Sequence, residues 1–287
     1  MKKRWGFAMF ALLLVVMSSA IWLAHMNDTA GYIESRQHED ENDTVPFTGS
    51  IQEQVHKGDL LLVNNQYPIS RDSIKTDIVD VSKQEDRNPG FVLMDSKLML
   101  SQEVLERFQY MIAAAAEDGI HSFLMSSGYR DWDKQEELYQ QKGADYALPA
   151  GHSEHNLGLS LDIGSTVNVM EEAPEGKWLA EHSWKYGFIL RYPRDRSDIT
   201  GIQYEPWHFR YVGLPHSAIM YQKNLVLEQY LDLLQEKKDI DATVGNDQYH
   251  IRYYDATSAT TILLPQHGDY NISGDNKQGI IVTVKKE

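Results

Sequence analysis

Residues 151–164 read Gly151-His152-Ser153-Glu154-His155-Asn156-Leu157-Gly158-Leu159-Ser160-Leu161-Asp162-Ile163-Gly164. Leu157, Leu159 and Leu161 alternate with Gly158, Ser160 and Asp162, the period of a strand, whose successive side chains point to opposite faces. The leucines share a buried face, and Asp162 is sent to the other, where an acid needs a partner. Two histidines and a glutamate stand just upstream. The stretch is either a strand end with polar groups that hydrogen-bond, or half of a metal site.

A second alternation follows at Tyr204-Glu205-Pro206-Trp207-His208-Phe209-Arg210-Tyr211-Val212. It sets Trp207, Phe209 and Tyr211 on one face and His208, Arg210 and Val212 on the other. Pro206 donates no backbone hydrogen bond and keeps Glu205 out of helical geometry, so Glu205 stands at the mouth of a strand. Trp207 is expected in the core, positioning Glu205 and His208. The chain contains no cysteine, which leaves His, Asp and Glu as the strong ligands and excludes disulfides. His155, Asp162 and His208 then offer three donors from two strands, with Glu205 a free carboxylate beside the last. Three protein donors and an open position are the pattern of a catalytic zinc site. The helical HExxH arrangement is absent, so spacing alone leaves the strand-end reading open.

Around these strands the pattern is α+β, a mainly antiparallel sheet with packed helices. Leu60 to Val63 reads as a short buried strand. Ser101 is a plausible N-cap for a helix that turns Leu105, Phe108, Ile112 and Ala115 or Ala116 to one side and stops at Gly119. Ile120 to Met125 reads as a strand running into Ser127-Gly128-Tyr129-Arg130. Asp133 with Glu136 resembles a capping box for the next helix, which Gly143 ends. A helix fits Glu175 to Tyr186, followed by the apolar Phe188-Ile189-Leu190, and further helices fit after Pro215 and after Asn224. Beyond about residue 238, Tyr249 to Tyr254, Thr260 to Leu264 and Gly279 to Val284 form a small β-rich unit with no evident chemistry.

Composition narrows the function classes. With 287 residues, 42% of them hydrophobic, the chain can bury a sizeable core. A net charge of -15 without basic clusters argues against nucleic acid as a partner, and it means an anionic substrate must be held by a local cation. Lys2, Lys3 and Arg4 precede an uncharged run from Trp5 to Ala24, the ~20 residues that span a bilayer. Residues 1–26 therefore read as an uncleaved membrane anchor with the remainder outside the cell; a cleaved signal peptide is the competing reading, disfavoured by Trp22 and Leu23 at the cleavage position. Residues 27–57 read as a flexible acidic stalk, 58–237 as the catalytic domain and 238–287 as the β unit.

Ser153-x-His155-x-x-Gly158-x-x-x-Asp162 followed by Glu205-x-Trp207-His208, together with Ser127-Gly128-Tyr129-Arg130, resembles the VanY-type zinc D,D-carboxypeptidases of glycopeptide resistance over residues 58–235. The resemblance implies a hedgehog/D,D-peptidase-like fold, zinc held by His155, Asp162 and His208, and Glu205 as the acid–base residue. It implies that Arg130 contacts the substrate carboxylate or the oxyanion, and that Ser153 hydrogen-bonds substrate. By sequence alone Ser153 equally closes a turn, and a lone Arg at a strand end, such as Arg130, is more often a surface ion pair. Gln135, one helix further, either reaches the substrate backbone or lies on a solvated face. The implied substrate is a peptidoglycan precursor peptide ending in D-Ala-D-Ala. A D-Ala-D-Ala dipeptidase and a non-catalytic wall-binding module are the alternatives.

Overall fold

The computed structural model describes residues 31–33, 43–84, 90–143, 147–259 and 261–286. Its centre is a five-stranded sheet of β1 (Phe91–Leu93), β2 (Phe123–Ser127), β3 (Ser160–Ser165), β4 (Phe188–Leu190) and β5 (His208–Tyr211), in the order β1-β2-β3-β5-β4. Only β1 and β2 run parallel. Helix α1 (Gln102–Glu117) packs on one face. Its Leu105, Phe108, Ile112 and Ala115 are buried with Phe123, Leu161, Ile163 and Phe209, the apolar half of each strand alternation. Ser101 caps α1 by accepting from the Val104 N–H, as its sequence predicts. Gly119, with φ +80°, supplies the left-handed turn after it.

Several boundaries differ from expectation for local reasons. Helix α2 spans Trp132–Lys142, and its cap is Asp131, which accepts from the Lys134 N–H at 2.7 Å; Asp133 lies inside the first turn. Helix α3 (Pro174–His182) tightens into a 3-10 turn over Ser183–Tyr186 before Gly187 ends it. Leu60–Val63 is buried as expected, yet it forms no strand. The Leu60 and Leu62 N–H groups donate to the Ser273 hydroxyl and the Asp275 carbonyl, and the Arg210 guanidinium donates to the Asp59 and Leu61 carbonyls. These partners take the place of a neighbouring strand.

Helices α4 (His216–Lys223) and α5 (Leu227–Lys237) lead to a second, antiparallel sheet. It consists of Gly31–Ile33, β6 (Asp239–Val244), β7 (Asp247–Asp255), β9 (Gly279–Lys286) and β8 (Tyr270–Gly274), adjacent in that order. Ile240, Ile251 and Ile281 of this sheet share a buried cluster with Leu60, Leu62, Val212 and Leu231. The expected Thr260–Leu264 strand is shifted in its described part: Leu263–Pro265 pairs with Thr44–Pro46, and the Ile262 carbonyl accepts from the Phe47 N–H.

The stretch read as a flexible stalk is structured wherever it is described. Gly31–Ile33 pairs with β6, Thr44–Pro46 with Leu263–Pro265, and Val55 is buried against Ile280 and Val282. Its apolar residues are too scattered among acids to show a period, and tertiary pairing supplies what local pattern lacks. The expected anchor, residues 1–26, lies outside the described residues, among which no helix is long and apolar enough to cross a membrane.

His216 is buried between the Tyr230 and Thr283 hydroxyls, at 2.7 and 3.0 Å. Burial pushes its pKa from 6.5 down to about 3. Between those values the unfolded chain binds a proton that the folded chain refuses, so stability is full above pH 6.5 and falls with acidification by about 1.4 kcal/mol per pH unit. Denaturant unfolding from pH 7 to pH 4 is expected to show a shallower loss in His216→Gln than in the wild type; parallel curves would contradict this.

Candidate active site

The strand register assembles the site. Asp162 on β3 lies directly opposite His208 on β5, so both side chains leave the same face of the sheet. On the other side of β3, a register shift between Met125 and Ser127 brings Ser127 opposite Asp162. His155 comes from a 3-10 turn, Glu154–Asn156, just before β3. Ser153 accepts from the His155 N–H at 3.3 Å, and Gly158, with φ +84°, swings the chain into the strand. Ser153 thus closes a turn, one of its two expected roles.

One donor atom from each of His155, Asp162 and His208 lies within 4.8 Å of the others, the arrangement a metal ion needs. Asp162 Oδ1 is 3.4 Å from His155 Nε2 and 3.1 Å from His208 Nδ1. The outer nitrogens have acceptors of their own. His155 Nδ1 is 2.7 Å from the Gly128 carbonyl, and His208 Nε2 is 3.2 Å from a Glu154 carboxylate oxygen. Each outer partner fixes the tautomer that leaves the inner nitrogen as an acceptor, the usual support of a metal-ligating histidine. Two neutral imidazoles and one carboxylate suit a divalent ion of borderline softness.

Charge follows the same geometry. Burial opposes ionisation of Asp162, but His155 and His208 outweigh it and hold the carboxyl far below its ordinary range. Burial disfavours the charged His208 ring, yet its bonds to Asp162 and Glu154 raise its pKa to about 9 in the metal-free site. Burial lowers the pKa of His155, against the pull of Asp162. Glu205 is partly exposed, with Oε2 3.8 Å from His208 Nδ1. Its N–H donates to the Tyr192 carbonyl, and burial, with Asp162 and Glu154 nearby, pushes its carboxyl pKa up.

Arg130 follows β2 and, among the described residues, makes no surface ion pair. Its guanidinium donates to Gln135 Oε1 at 2.7 Å and to Ser127 Oγ at 3.0 Å, while its charge faces Asp162 and Glu205. Gln135 is neither on a solvated face nor free for substrate: it is 1% exposed, and its amide also donates to the Leu148 carbonyl. Gln135 holds Arg130. Trp207, expected in the core, is 42% exposed. It precedes β5, and its backbone carbonyl, accepting from the Ile163 N–H, does the anchoring. His152 is turned away from the donor group, onto the Asn64 carbonyl.

Glu154 is the functional residue that sequence pattern misses. Fully buried, it accepts from Arg191 Nε and Arg210 Nη1, each at 2.8 Å, and from the Ser160 hydroxyl at 3.2 Å, besides facing His208. Arg191 continues to Glu228 on α5 through two hydrogen bonds. The available signal was Arg210, a charged residue in the middle of a strand on the same face as His208.

A family model described as VanY, D-alanyl-D-alanine carboxypeptidase, matches residues 97–214. A D-alanyl-D-alanine carboxypeptidase of Enterococcus faecium is 55% identical over 233 residues, 81% of this chain and 77% of that protein. The chain belongs to the VanY family. Among solved structures, the vancomycin-resistance D,D-dipeptidase VanXYg, in complex with a D-Ala-D-Ala phosphinate analogue, superposes with a TM-score of 0.70 and 27% identity. It covers 90% of this chain and is itself covered completely, so the likeness takes in part of the C-terminal sheet. A mutant D,D-pentapeptidase VanY from a VanB-type resistance cassette, in complex with Zn(II), has a TM-score of 0.50 and 31% identity, covering 60% of this chain and 98% of its own.

Because a metal must displace the His208 proton, binding at neutral pH is expected to release close to one proton. Affinity should rise about tenfold per pH unit toward pH 9, where His208 is already neutral. Calorimetric titration of zinc into metal-free protein, in buffers of different ionisation enthalpy, measures the release. Zero release at pH 7 would contradict the assignment of His208.

Proposed function

We propose that this chain is a zinc D,D-carboxypeptidase that removes the terminal D-alanine from peptidoglycan precursor peptides ending in D-Ala-D-Ala, and so withdraws the target of vancomycin. One observation carries the proposal: a three-donor group, an unligated carboxylate at Glu205 and a pinned guanidinium at Arg130 converge on one face of the sheet. The E. faecium relative and the Zn(II)-bound VanY structure support the activity and the metal. His155, Asp162 and His208 would hold the ion, which supplies Lewis-acid polarisation and acidifies water to a pKa of ~7.

The remaining work falls to side chains. Glu205, with its pKa raised by burial, accepts the proton of the attacking water and delivers a proton to the departing D-alanine nitrogen. Arg130 donates to the substrate's terminal carboxylate or to the developing oxyanion, its fork held in place by Gln135 and Ser127. Ser153, which caps the ligand turn, would hydrogen-bond the bound peptide through its hydroxyl. The uncharged run 5–24 would tether the enzyme to the membrane with the catalytic domain extracytoplasmic. Fractionation tests the tether: the full chain should sediment with membranes and the chain from residue 27 should not.

The dipeptidase reading keeps one observation in its favour, since the VanXYg structure that covers 90% of this chain is a D,D-dipeptidase. Mass spectrometry of products from a pentapeptide and from free D-Ala-D-Ala, with and without chelator, separates the two activities. Release of D-alanine from the pentapeptide is expected; cleavage of the dipeptide alone would overturn the carboxypeptidase assignment.

Glu205→Gln preserves size and spares the three donors, so metal content should persist while turnover falls by roughly 10²–10⁴. Near-normal turnover would place the base elsewhere. Arg130→Lys keeps the charge but loses the planar fork. It should bind metal normally, lose most of its kcat/KM on peptides ending in D-Ala-D-Ala, and lose less on the C-terminal amide. An equal loss on both substrates would mean that Arg130 does not read the carboxylate.

A further inference from the structure

A groove of about 560 Å³ opens between α1 and the C-terminal sheet. One wall is a helix face: Glu103, Arg107 and Tyr110 recur at i, i+4 and i+7 on the side of α1 opposite its buried stripe of Leu105, Phe108 and Ile112. The other wall is a sheet face, on which Asp247 and Tyr249 alternate along β7 and Lys285 of β9 stands directly across from Tyr249. Asn271 of β8 completes that wall, and Tyr186 and Tyr211 line the groove between the two. None of these residues belongs to the metal-facing group.

The lining selects by chemistry. Its acids are Asp59, Glu103, Asp247 and Asp269, and its bases are Arg107, Lys185 and Lys285. Lys285 pairs with Asp247 at 2.9 Å, and Lys75, reaching in from outside the lining, holds Glu103 at 2.9 Å and Asp59 at 3.2 Å. Four acids thus meet four bases, a polar but near-neutral groove on a chain of net charge -15. An anionic polymer would need a net positive lining. A lipid or an apolar helix would need walls apolar throughout, whereas here Leu60, Val212 and Leu214 are outnumbered by charged and hydroxylated side chains. Of the four tyrosines in the lining, Tyr211 and Tyr249 are buried, while Tyr110, 63% exposed, and the half-buried Tyr186 offer ring surface and hydroxyls to the groove. Apolar ring faces among evenly balanced donors and acceptors fit a ligand that is uncharged, rich in hydroxyl and amide groups, and flat on its C–H faces.

We infer that this groove is a second binding site, for a chain of uncharged N-acetylated amino sugars. The ligand class comes from the lining; its biological source, the glycan to which stem peptides are attached, rests on the function proposed above. The C-terminal sheet, in which the sequence shows no evident chemistry, then supplies half of a glycan site.

The test is calorimetric titration of the full chain with the β-1,4-linked hexamer of N-acetylglucosamine. Tyr110→Ala/Asn271→Ala serves as the variant, since both side chains are exposed. Saturable binding by the wild type, weakened at least about tenfold in the variant, is expected from loss of the ring contact and its amide neighbour. Release of D-alanine from a soluble pentapeptide should stay within about twofold of wild type in the same variant, because neither residue touches the metal-facing group. No binding by the wild type, or equal binding by the variant, overturns the groove. A wild-type chain that binds the hexamer yet leaves the pentapeptide intact sinks the proposed activity while upholding the groove.

Discussion

The arrangement depends on one buried carboxylate. Glu154 is removed from solvent between the guanidinium groups of Arg191 and Arg210, and its second oxygen faces His208. An isolated carboxylate at such depth would be protonated or excluded. Burial works against its ionisation, but Arg210, Arg191 and His208 together hold its pKa well below the ordinary value. Such a network adds little to stability relative to an apolar core, but deleting one member strands the others, at a cost of about 3–5 kcal/mol. It is therefore better understood as a device for placing His208 than as a source of stability.

From that carboxylate the geometry propagates in three directions. Arg210 donates onward to the carbonyls of Asp59 and Leu61, fixing the buried segment that enters the fold. Arg191 reaches Glu228 and ties α5, and through it the second sheet, to the same centre. His208 presents Nδ1 to Asp162 across the β3–β5 ladder. A site built on paired strands inherits their register, and a slip of one residue would send Asp162 to the leucine face. Arg130 is fixed more locally, by Gln135 and by Ser127, which the irregularity in β2 has brought opposite Asp162.

The parts of this arrangement legible in sequence are those with a period. Asp162, His208 and Glu205 emerged from two alternations and a proline, and α1 from its stripe of Leu105, Phe108 and Ile112. Glu154 was invisible because its neighbours in space, Arg191 and Arg210, are 37 and 56 residues away along the chain. Leu60–Val63 was apolar enough to be placed in the core, but only the tertiary fold could reveal that Arg210, Ser273 and Asp275 serve its backbone. Trp207 misled because alternation was extended one residue beyond the strand, which starts at His208. Gln135 misled because its helix is polar almost throughout, and one buried amide under Arg130 leaves no mark on such a pattern.

The central claim is that His155, Asp162 and His208 form one zinc site on which turnover depends. Metal analysis of purified active protein, before and after chelation, tests it most directly. One zinc per chain is predicted, with D-alanine release lost on chelation and restored by one equivalent of zinc. Active protein without stoichiometric metal, or activity indifferent to its removal, would contradict the account.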